Sequence, residues 1–240
     1  MDSKSTQLEP MVAAREPTIL VEKTDLEWPM ANAVAELGGA ASLGVLFAAN
    51  QTYHFLSIAI FILIMFLILL GYVILHMKLG TLRAVLRKQG LKRPAWRTRS
   101  FCETSGVGLF GLALIFVATF TLGRTPLVTW HFLVALPLYP IYGIAQHWLV
   151  QGMGTANLQA LSVPSCLIVP VIAVGFGAVH IGNQWDMCAV FLLGIPFCVL
   201  FLRHKDIFPL GIWHGFLGGV FYYVFRAFDP IENLVENFKK

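Results

Sequence analysis

The residues in this chain best suited to chemistry lie in three short stretches: AQHWLVQG, FGAVHIGN and IWHGFLGG. They contain Gln146, His147 and Gln151, then His180 and Asn183, then His214 and Gly218. An imidazole can act as a general base, a metal ligand or a hydrogen-bonding partner. A glutamine amide can donate and accept hydrogen bonds but takes up no proton near neutral pH. His147 and Gln151 are four residues apart, so on a helix they share a face. The glycines around each histidine allow neighbouring helices to come close. A second spacing is informative, because Gln146 and His180 each lie 17 residues from Val163. A turn at 162–164 would bring them back to similar depth on adjacent antiparallel helices.

Those stretches must be positioned by helices in a membrane. The chain has 240 residues, of which 57% are hydrophobic and 12% charged, far from the roughly even apolar and quarter-charged balance of soluble domains. Several uncharged runs approach the roughly 20 residues needed to cross a hydrocarbon core. Between Lys78 and Arg99 lie eight cations and no acid. Under the positive-inside rule this block is expected to be cytoplasmic and to contact lipid headgroups rather than nucleic acid. The four cysteines show no CxxC pairing and are expected to be buried thiols, not a disulfide or zinc framework. No cleavable leader is expected, since residues 1–32 mix acids and bases without an early apolar core.

The expected fold is all-α: a polytopic membrane bundle of about six transmembrane helices, give or take one, with a C-terminal amphipathic helix. Residues 1–32 read as a polar tail, 33–104 as N-terminal membrane segments with the basic loop, 105–228 as the membrane core, and 229–240 as the amphipathic tail. Residues 33–49 contain Glu36 and a Gly-Gly pair, which leaves a span or an interfacial helix open. Spans are expected at 55–75, 106–122, 126–161, 164–181, 187–202 and 207–228. The third is 36 residues, about 54 Å as one helix. It is expected to break at Pro137 and Pro140. Arg203 and Lys205 should share the face of the basic loop. Asp229-Pro230 reads as a helix cap and first turn, followed by Ile231, Leu234, Val235 and Phe238 at helical spacing.

The three stretches resemble the motifs of the CPBP family, the CAAX prenyl endopeptidase and bacteriocin-processing membrane proteins, which carry EExxxRG, FxxxH and HxxxN or HxxxD on successive helices. Gln146 to Gly152 occupies the first motif, Phe176 to His180 the second, and His214 to Gly218 the third. The resemblance implies an intramembrane peptidase in which the first Glu activates water while the histidines and final Asn place it or stabilise the oxyanion. Here Gln146 stands for that Glu, His147 for the second Glu, Gln151 for the Arg and Gly218 for the Asn. A missing general base typically costs about 10² to 10⁴ in rate, and a missing oxyanion partner about 2.7 to 4 kcal/mol. The family mechanism cannot run unchanged.

Two acids and a base have become two amides and an imidazole, which avoids leaving an unpaired Arg in hydrocarbon. Such a coordinated change suggests a non-proteolytic binding, scaffold or assembly protein with a polar pocket of Gln146, His147, Gln151, His180, Asn183 and His214. That reading needs no cofactor. Its expected partners are the lipid bilayer and another membrane protein or a small lipid-like ligand. An alternative retains a hydrolase, with His147, His180 and His214 holding zinc or another divalent metal. A third reading is small-molecule transport.

Overall fold

The computed structural model describes residues 30–92 and 98–238, and among them it is all-helical. The expected polar tail lies outside this range except for its last three residues, which are already helical. Helix α1 spans Met30–Tyr53 and α2 Ile58–Lys78. A short α3, Leu82–Lys88, follows on the loop face, and α4 runs Arg99–Thr121. Helix α5, Trp130–His147, continues as a π-helical stretch, Trp148–Thr155, and then as α6, Ala156–Ala160. Next come α7, Ser165–Ala178, α8, Gln184–His204, and α9, Ile207–Val220, which ends in a second π-helical stretch, Phe221–Phe225. Finally α10 spans Pro230–Phe238.

Six of the described helical runs are long and apolar enough to cross a membrane, as expected in number, but they are not the six expected. The doubtful 33–49 segment belongs to α1, 24 helical residues long. Conversely α7 has only 14 residues, about 21 Å, and falls short of a full crossing of about 30 Å. Leu63, Phe66 and Leu67 of α2, and Phe110, Phe116 and Phe120 of α4, point outward. This is the pattern of helices solvated by lipid, where apolar side chains gain nothing by turning inward.

The expected break at Pro137 and Pro140 does not occur, because 31 helical residues run unbroken from Trp130 to Ala160. Neighbouring elements at membrane depth can re-satisfy the groups that proline frees. The helix instead deviates about two turns later, at Trp148–Thr155, where the π-helical register makes room for a bulge.

Glycine sets how closely α5 and α9 approach. The Gly211-Ile-Trp-His-Gly215 segment is a small-xxx-small face. A Cβ on Gly215 would fall on the Tyr139 carbonyl, and one on Gly143 would fall on Gly211. The two backbones therefore touch around His214.

The loop face forms one packed layer. Lys92 donates to the His204 carbonyl (2.9 Å), the Ile207 N–H bonds the Gly90 carbonyl, and Arg203 and His204 both reach Glu103 (2.9 Å each). Arg203 and Lys205 thus share a face with the basic loop, as expected. The expectation of buried thiols holds only for Cys198. Cys102, Cys166 and Cys188 lie at the bundle surface, and none of the four is disulfide-bonded. Asp229 caps α10 as expected, accepting from the Ile231 and Glu232 N–H groups.

Candidate functional site: a buried imidazole pair

His147 ends the regular part of α5 with none of its side chain exposed. Its ring lies 5.1 Å from that of His214 and 5.4 Å from each of Phe176 and Phe197, centroid to centroid. His214 comes from α9, one residue before the Gly215 close approach, and its ring also lies 5.1 Å from Phe176. Gln151, on the π-helical turn after His147, is fully buried and accepts a bond from the Thr155 hydroxyl at 2.6 Å. Both ring nitrogens of His147, Nδ1 of His214 and Nε2 of Gln151 find no hydrogen-bond partner among the described residues. Buried polar atoms are nearly always bonded, and each exception costs roughly 1–3 kcal/mol. All four atoms belong to residues that the sequence offers as site candidates.

The other expected site residues lie elsewhere. His180 is half-buried, its Nδ1 is 2.9 Å from the Phe176 carbonyl, and its ring touches the Phe176 ring at 5.6 Å. Phe176 therefore contacts all three histidines, while His180 and Asn183 line a separate cavity of about 670 Å³ at the face opposite the basic loop. Asn183 caps α8 there, accepting from the Trp185 and Asp186 N–H groups. Gln146 is half-buried, one residue before His147 on α5 and outside the cavity lined by His180 and Asn183. Gly218 faces the Tyr139 ring, with a Cβ position 3.6 Å from it. Among the described residues no three His, Cys, Asp or Glu side chains are grouped as a metal ion requires.

Two polar groupings had no place in the sequence reading. In the cavity beside His180, Asp186 accepts from Tyr222 (3.1 Å) and pairs with Arg226. The signal available was an acid in the first turn of one span and a base just beyond the end of another. The second grouping is centred on Glu36. Tyr72 donates to its Oε1 (2.6 Å), while Gln89 (3.1 Å) and Asn157 (2.7 Å) donate to its Oε2. Gln89 also donates to Tyr72 (2.7 Å) and accepts from the Trp148 indole (2.6 Å), and Lys88 donates to Asn157 (2.7 Å). This network fastens α1, α2 and α3 to the π-helical turn that follows His147. Its carboxylate oxygens are bonded, unlike the imidazole centre, so its evident task is to hold that turn in place.

Fold and site together define an all-helical, multi-pass membrane protein with a paired-imidazole centre between two helices in glycine contact. Residues 127–220 match the family model described as Rce1-like, Type II CAAX prenyl endopeptidase Rce1-like. The match runs from just before α5 to the end of α9 and contains the three histidines, which bears out the resemblance to the CPBP family. No curated protein and no solved structure matches the chain.

Proposed function

We propose that this chain is a CPBP-like membrane protein that binds rather than cleaves, using His147, Gln151 and His214 to receive the polar end of a lipid-embedded partner. The observation that carries the reading is the set of four unbonded polar atoms in this buried centre. A purely structural centre would pair them or replace them with apolar groups, because orphaned polar atoms destabilise the fold. The contacts of the two imidazoles support binding over hydrolysis. They touch each other and phenylalanines, and among the described residues no carboxylate bonds either nitrogen of His147 or Nδ1 of His214 to act as a base.

A farnesylated CAAX-terminated peptide with a photoreactive group, presented to the protein in nanodiscs, tests this directly. Capture without cleavage between pH 5 and 9 is expected. His147→Leu should abolish capture and leave the empty protein as stable as wild type or more stable, by about 1–2 kcal/mol, since two orphaned atoms are removed. Peptide cleavage by the wild type would overturn the binding reading, and so would capture unchanged in His147→Leu and in His214→Leu. One divalent metal per purified chain, removable by chelator together with a cleavage activity, would instead favour the hydrolytic alternative.

A further inference from the structure

On the loop face, Arg87, Lys88, Lys92 and Lys205 line an open cavity of about 570 Å³ with Gln159 and Ala156, and no acid lines it among the described residues. The four cations come from two regions far apart in sequence: α3 with the chain directly after it, and the α8–α9 corner. Lys92 donates to the His204 carbonyl at 2.9 Å, Lys88 to the Asn157 amide oxygen at 2.7 Å, and Lys205 to the Gln159 amide oxygen. Those three acceptors are neutral, and Arg87 is exposed at the cavity lining.

A plainer account is that these cations only offset the negative ends of the three helices that finish here, α3, α6 and α8. A full helix terminus carries roughly half a negative charge, so three contribute about −1.5 at most, and α3 and α6 are too short to reach that. The Glu36 carboxylate also acts on Lys88, so against four cations a surplus of at least about 1.5 positive charges remains.

We propose that this cavity is a binding site for a phosphate-type anion, such as the phosphodiester of an acidic lipid headgroup. The cavity sits where α6 and α8 end, the level at which a membrane-crossing bundle meets headgroups, and basic pockets at such positions suit anionic lipids. Arg87 offers the planar fork that engages two phosphate oxygens at once. Lys205 is held in the left-handed region (φ 49°) at the end of α8, which fixes its place on the rim. Burial lowers both Lys88 and Lys205 to about 8. For Lys205, the positive charge of Lys92 lowers it further, a repulsion that a bound anion would relieve.

The full chain in zwitterionic detergent is titrated with dioleoylphosphatidylglycerol in one arm and inorganic phosphate in the other, reading the thermal midpoint. Wild type should be stabilised by the lipid. Arg87→Gln should weaken the apparent affinity about fivefold, the worth of one cation near a membrane surface. The triple variant Arg87→Gln/Lys92→Gln/Lys205→Gln should lose the response. Arg83→Gln removes an exposed cation of α3 outside the cavity and should behave as wild type. Response to the lipid alone assigns the site to headgroups, and an equal response to inorganic phosphate assigns it to soluble anions. Both support an anion site. No response of wild type to either anion, or equal losses in Arg83→Gln and Arg87→Gln, would overturn it.

Discussion

Gly215→Ala tests whether α5 and α9 meet backbone to backbone around His214. The added methyl would occupy the space of the Tyr139 carbonyl and the Pro140 nitrogen, whereas the same change at Gly175 in α7 meets nothing within 4 Å. Neither obstacle is a flexible side chain, so the helices themselves must part. A separation of 0.5–1 Å forfeits roughly a quarter to a half of each dispersion contact across the seam. Overpacking of this kind typically costs about 1–3 kcal/mol. Both variants also gain up to about 1 kcal/mol from the better helix propensity of alanine. That gain cancels in the comparison, so Gly215→Ala should be less stable than Gly175→Ala by about 1–3 kcal/mol. Unfolding in mixed micelles, followed by tryptophan fluorescence, measures the difference. Equal stability within ~0.5 kcal/mol would refute the close approach, and with it the seam that places His214 against His147.

Glu36→Ala should destabilise the protein by about 2–4 kcal/mol, because Tyr72, Gln89 and Asn157 lose a shared acceptor and each buried orphan costs roughly 1–3 kcal/mol without full additivity. Glu36→Gln, which keeps one acceptor oxygen, should cost less, and chemical denaturation of the two variants ranks them. Burial alone would raise the Asp229 carboxyl, but bonds from the Glu232 N–H, Thr129, His131 and Tyr223 outweigh it and hold the group below the usual carboxylate range. A depressed carboxyl stabilises above its unfolded value of about 3.9 and loses that stability as pH falls below it. Asp229→Asn should therefore be less stable than wild type at pH 7, with the gap closing below about pH 4 in thermal melts. Gln146→Glu alone should not create peptidase activity, since Gly218 still offers no oxyanion partner, and turnover of a prenylated peptide by that single variant would sink the binding reading.

Hydropathy alone located α2, α4, α8 and α9, whose spans follow from long apolar runs. It leaves α1 open between a span and an interfacial helix, because Glu36, Gly38 and Gly39 lower its apolar character locally. The partners that accommodate Glu36 lie 36, 53 and 121 residues away, so nothing near it in sequence announces that the acid is satisfied. The unbroken course of α5 was hidden for a related reason. Pro137 and Pro140 carry a strong local preference to break a helix, whereas the close packing of the α9 backbone at Gly215 against Tyr139 and Pro140 joins residues more than 70 positions apart.

The site divides along the same line. His147 and His214 were legible because an imidazole amid apolar residues and glycines stands out at any helical register. Phe176, whose ring touches all three histidines, reads in sequence as one more apolar residue. Glu36 is tied through Gln89 to Trp148, and through Asn157 to the Met153 carbonyl. Those two residues bracket the π-helical turn that carries Gln151. A bonded acid thus holds in place the segment on which the unbonded amide sits. Rigid support beneath an unsatisfied centre is what a preorganised binding site requires, and it accounts for a lone carboxylate in α1 that a merely lipid-facing helix would have no reason to keep.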